Sequence, residues 1–316
     1  MSRFSVSQMA MTGFGVVREN LAAVAIWALL QVAGVFASAG LMVALIGKPL
    51  SEMMALSREP GAKPDPGAMM ALLTQMAPVF LLLVPLGLLI GAVIQTAMNR
   101  IILRPKDKAF AFLRIGADEG RQILLSLMVM FTAVGAYVAV VVVVVILALV
   151  IGLVSKSVPA LAVLLGVVGG FGLMAAAIYV GVRLSLASAR TFATGRVDLF
   201  GSWDVTRGHF WPILGTYVLT SFLLMVVWSM GYALIFSLAA LTTGLGPTAT
   251  AMLHPDYANP ATFFTPSAVV YLVLNAVFSA LLLPISNTPA PAIYAALTEG
   301  PPPPPVIEGG LYVPKV

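Results

Sequence analysis

Two histidines, scattered serines and clustered basic side chains are the groups in this chain that could act on another molecule. A metal site would need His209 and His254 together with carboxylates. A serine hydrolase would need one of those histidines beside Ser221 or Ser237, and no nucleophile-elbow pattern surrounds either serine. With no cysteine there is no thiolate nucleophile, no disulfide framework and no sulfur ligand. A phosphate-binding loop and a paired-carboxylate motif are also missing from the sequence. The expectation is a protein without enzymatic activity, cofactor or metal. His254-Pro255-Asp256-Tyr257 reads as a turn, because Pro and Asp are turn formers.

The cations carry a different chemistry. Arg100, Arg104, Lys106 and Lys108 form one cluster, and Arg190, Arg196 and Arg207 a looser second one. A Lys or Arg near an anionic leaflet contributes ~1 kcal/mol, so both sets are expected to hold acidic lipid headgroups as well as to set orientation. Phe14, Phe112, Trp203 and Trp211 are the expected interfacial anchors. The amides Gln31, Gln95, Asn99 and Asn275 could line a groove, although hydrogen bonding between helices is the plainer reading. Membrane lipids, and a membrane-protein partner or second copy, are the expected partners; so little basic surface outside the apolar runs argues against nucleic acid.

The elements that must position these groups are apolar. Of 316 residues, 60% are hydrophobic and only 9% charged, against about 25% charged in soluble domains. A helix needs roughly 20 apolar residues to cross ~30 Å of hydrocarbon. Six stretches qualify, approximately Leu21–Ile46, Met69–Met98, Leu124–Val154, Leu161–Val182, Ile213–Leu241 and Ala268–Leu297. No Asp, Glu, Lys or Arg lies in the middle of any of them, which argues against a charge-relay pump. Ala37-Ser38-Ala39 resembles a signal-peptide cleavage site, but the long amphipathic stretch before the first run implies that this span is retained.

Three segments outside the spans carry amphipathic spacing. Ala10, Phe14 and Val17, with Ser5 or Ser7 as cap, predict a helix before the first span. Ala109, Phe112 and Leu113, opposite Arg114, Asp118 and Arg121, predict a second. The third lies between Arg183 and Leu214, with Leu199, Phe200 and Trp203 inward and Ser202 and Arg207 toward water. The prolines between Gly47 and Gly67 predict turn and linker there. The fold class expected is therefore an all-α integral membrane protein of six transmembrane helices, arranged as three hairpins, each preceded by a cytoplasmic interfacial helix. One membrane domain covers 1–298, with a threefold repeat at about 1–103, 104–193 and 194–298, and a Pro-rich tail covers 299–316. Gly87, Gly91, Gln95 and Asn99 recur every four residues, as do Ala177, Gly181, Ser185 and Ala189, and both stripes are expected to face protein. Thirteen of the 17 Lys and Arg fall on the side of the termini and the loops after the second and fourth spans, which places both termini in the cytoplasm.

Ser202-Trp203-Asp204-Val205-Thr206-Arg207-Gly208-His209-Phe210-Trp211 resembles the membrane-domain family fused to some glycerophosphodiester phosphodiesterases, and related six-span bacterial membrane proteins. The resemblance implies a membrane module of the bacterial inner membrane; the phosphodiesterase barrel and its acidic metal ligands are absent, so that activity does not carry over. The function expected is a lipid-interacting scaffold or a subunit of a membrane complex. The alternative is a transporter or flippase for a lipid or apolar solute, through a groove along Gln95 and Asn99.

Overall fold

A chain this apolar has to satisfy its backbone within each segment, and helices do so without neighbours. In the computed structural model, which describes residues 5–58, 66–155, 158–253 and 255–298, every regular element among the described residues is helical. Six helices are long and apolar enough to cross a membrane, and the protein is a multi-pass membrane protein. His254, the centre of the loop after the first span and the Pro-rich tail lie outside the described residues.

Helix α1 spans Val6–Glu19, and the Ser5 hydroxyl caps it by accepting from the Gln8 N–H. Asn20 ends it, returning both its backbone and its side-chain N–H to the Val16 carbonyl. Its buried face is Ala10, Gly13 and Val16, one position off the expected Ala10, Phe14 and Val17. Gly13 is the reason: a β-carbon there would collide with the backbone of Pro284 and Ile285, so the helix seats closely on protein at this point.

Helix α2 runs Leu21–Arg58 and α3 runs Pro66–Leu103. The expected linker at 47–58 is thus helix: Pro49 sits within α2, and the Lys48 carbonyl accepts the Ser51 hydroxyl. At 38 residues each, these helices rise ~57 Å, well beyond the hydrocarbon thickness, so they tilt or project from it.

The second amphipathic helix is absent. In its place Ala109–Phe112 forms a 3-10 turn in which Phe110, Ala111 and Phe112 all have left-handed backbone (φ 49, 56 and 65°). Helix α4 then begins at Ala117 and continues to Ser155. Asp118, expected on an interfacial helix, occupies the first turn of α4 with Glu119, where carboxylates complement the helix dipole.

Helices α5 (Pro159–Leu184), α6 (Ala187–Thr194), α7 (Ser202–Val205) and α8 (Phe210–Thr243) follow. Beyond them come α9 (Leu245–Leu253), α10 (Pro260–Phe263), α11 (Pro266–Asn287) and α12 (Pro289–Thr298). The last apolar run breaks at Thr288, between two helices that each start with proline. Around α7 two expected orientations are reversed. Ser202 is buried, because its hydroxyl donates to the Arg183 and Leu199 carbonyls, and Phe200 is exposed.

Each long helix packs on the one before and after it, and α11 closes back onto α2. The contact between α11 and α8 depends on Gly231, whose missing side chain leaves room for the Phe278 ring. Helices α1, α6, α7 and α12 gather at one end of the bundle with the 3-10 turn, and the apolar core is densest there. The small-residue stripes do not face protein along their length. Gly87 and Gly91 on α3, and Ala177 and Gly181 on α5, are exposed; only Asn99 and Ala189 are enclosed.

Candidate functional site

The ionisable groups meet at the end of the bundle where α3 finishes and α4 starts. Arg100, in the last turn of α3, reaches Glu119 with Nη2 at 2.7 Å from Oε1; the side chains are 2% and 3% exposed. Its Nη1 also donates to the Phe112 carbonyl, and Asp107 lies 3.7 Å from its Nε. Asp107 is held in turn by Arg114. The Trp27 indole on α2 donates to the Ala111 carbonyl at 3.0 Å. These bonds fix the left-handed turn from both sides. Backbone of this kind in non-glycine residues costs roughly 1–3 kcal/mol each and persists only where the surroundings over-determine it. Its effect is to bury Phe112 and turn Phe110 outward, 85% exposed.

Beside the ion pair lies a second polar junction. Ser188 of α6 accepts from Asn99 of α3 at 2.9 Å, its hydroxyl donates to Gln122 of α4, and its carbonyl accepts from the same glutamine. Three helices are tied through one serine. Nearer the surface, Arg104 pairs with Asp118 at 3.1 Å and its guanidinium stands 4.4 Å from the centre of the Phe192 ring. Asp118 also holds Arg121 at 2.7 Å. On the far side of α6, Arg183 donates to Tyr179 and Thr206 while contacting the Trp203 ring, and Arg190 pairs with Asp198 at 3.1 Å.

The seven cations expected to meet headgroups therefore divide. Arg100 is enclosed; Arg104 is exposed and Arg190 half-buried, and both are committed to carboxylates. Lys106, Lys108, Arg196 and Arg207 are exposed and make no ion pair among the described residues. Among the expected anchors, Phe112 is buried in the core, while Phe14 and Trp203 are half-buried. Trp211 alone of the four is freely exposed.

The four amides are not brought together. The Asn99 amide nitrogen donates to Ser188, leaving its buried oxygen without a partner among the described residues, and Asn275 accepts from the Tyr232 hydroxyl at 2.9 Å, an interhelical bond. Gln31 lines an apolar crevice of about 680 Å³ between α2 and α3, which Gln95 does not reach. At the opposite end, a pocket of about 780 Å³ is lined by Thr243, Tyr257 and Tyr271, with Asp256 at its edge. The Ala258 N–H and the Thr262 hydroxyl both donate to the Asp256 carboxylate and hold it below its ordinary range.

Glu119, Gln122 and Ser188, the partners that organise the basic end, escaped sequence reasoning. A signal existed for the first: Asp118-Glu119 after Gly116 marks a helix start through its acidic first turn. Ser188 carries no such signal, since a serine in a short helix is indistinguishable from a solvated one. No family model, curated protein or solved structure matches this chain.

Proposed function

We infer that the protein is a non-enzymatic inner-membrane module, a lipid-interacting scaffold or subunit of a membrane assembly, built as three hairpins (α2 with α3, α4 with α5, α8 with α11). The observation that carries this reading is the division of its charge. Carboxylates neutralise Arg100, Arg104 and Arg190 at the basic end, while Lys106, Lys108, Arg196 and Arg207 are left exposed on it. The spans hold no ionisable residue near their middle, so the reactive surface faces headgroups rather than a path across the bilayer. The open small-residue face of α5 supports a protein partner, because such a face lets a second helix approach closely. The likeness of Ser202 to Trp211 to phosphodiesterase-associated membrane domains agrees with a module that lacks chemistry of its own.

Transport is the weaker reading, since the amides proposed to line a path are engaged between helices or lie apart. The test is purification in mild detergent at native expression, followed by native mass spectrometry. A stoichiometric partner or retained anionic lipid is expected. A bare chain whose lipid content is unchanged when Lys106, Lys108, Arg196 and Arg207 are all made glutamine would overturn the reading.

A further inference from the structure

We propose that the crevice between α2 and α3 binds one acyl chain of an anionic phospholipid from the leaflet at the basic end, with the headgroup on Lys106 and Lys108. This deepens the lipid-interacting reading and rests on it. Along α2 the crevice runs from Trp27 to Ser38, which at ~1.5 Å per residue is about 16 Å, the depth of one leaflet of a ~30 Å hydrocarbon core. A single chain entering at the basic end fills it and stops near the midplane. The space comes from absent side chains: Gly34 on α2 and Gly87 on α3 both line it, and neither has an atom within 4 Å of where a β-carbon would stand.

Apolarity alone selects nothing inside a bilayer, because lipid tails are as apolar as leucine. Selection has to come from the rim. Leu113 and Ile115 form it, Ile115 86% exposed, immediately after the strained turn that Trp27 and Arg100 hold in place. The chain leading into that turn carries Lys106 and Lys108, while the neighbouring Arg104 and Arg114 are occupied by Asp118 and Asp107. Among the described residues, the two lysines are the exposed cations of that segment without an ion pair. One turn below Trp27, Gln31 lines the crevice without a hydrogen bond among the described residues and offers its amide to an ester carbonyl.

The test reads lipid adducts by native mass spectrometry on the full chain released from nanodiscs of phosphatidylglycerol and phosphatidylcholine in equal amounts. The native chain is expected to retain one phosphatidylglycerol. Gly34→Leu with Gly87→Leu fills the crevice while improving helix propensity, and lowers that adduct by about tenfold. Lys106→Gln with Lys108→Gln keeps a lipid but loses the preference for phosphatidylglycerol. A second measurement is independent of these variants: with Trp203, Trp211 and Trp228 changed to phenylalanine, Trp27 reports alone, and lipid brominated on the upper acyl chain should quench it. An adduct untouched by filling the crevice, or an unquenched Trp27, overturns the assignment. If the native chain shows no anionic preference at all, the broader reading fails as well; if only the four-cation variant loses it, the crevice assignment fails and the broader reading stands.

Discussion

Arg100 and Glu119 show how burial changes what a charge means. A cation in a basic cluster reads from sequence as a headgroup ligand, yet Arg100 is the bulkiest of the fully buried side chains among the described residues. Taking such a pair out of water costs several kcal/mol per ion, and only close geometry with further hydrogen bonds offsets it. The Phe112 carbonyl supplies one of those bonds. Glu119→Ala should therefore destabilise by about 3–5 kcal/mol, because it strands an uncompensated guanidinium. Arg100→Met combined with Glu119→Leu should recover part of that loss, falling short by roughly 1–3 kcal/mol because the Phe112 carbonyl loses its donor. Thermal unfolding in detergent, followed by tryptophan fluorescence, measures both. Equal losses in the single and double variants would show that the ion pair is not what holds this turn.

At the scale of elements, the six spans were legible because an apolar run of membrane length has few other uses. The short elements between them were not. Ala109, Phe112 and Leu113 have helical spacing, but Pro105 and Gly116 confine them to a segment too short for a stable helix, and bonds from Trp27 and Arg100 impose a different backbone. Helix α1 was legible as a helix but its face was not. The glycine that fixes that face carries no hydrophobic signal; only the approach of Pro284 and Ile285 reveals its role. That contact predicts a paired result. Gly13→Val should lift α1 from α11, overpacking by about 1–3 kcal/mol and raising tryptic cleavage after the exposed Arg18 by roughly tenfold. Gly15→Ala, where the space is open, should leave cleavage unchanged. Equal cleavage in both variants would mean that α1 is held elsewhere.

For the molecule as a whole, orientation is the prediction from which the others take their meaning. The end that carries α1, α6, α7, α12 and the left-handed turn also carries the ion-paired network and most of the exposed cations. Of the 17 Lys and Arg in the chain, thirteen fall on that side by sequence, and the bias of basic residues toward the cytoplasm predicts that this end faces it. The opposite end, around α9 and α10, carries hydroxyls, aromatics and Asp256. The absence of native cysteine makes this directly measurable, since a single introduced thiol reports without background. Lys106→Cys and Ala258→Cys both sit at exposed positions, at opposite ends of the bundle. With a membrane-impermeant maleimide, Ala258→Cys should label in intact cells with a permeable outer envelope, and Lys106→Cys only after the inner membrane is opened. The reverse pattern would put the basic end outside the cytoplasm, and the leaflet proposed to supply the crevice with its lipid would change with it.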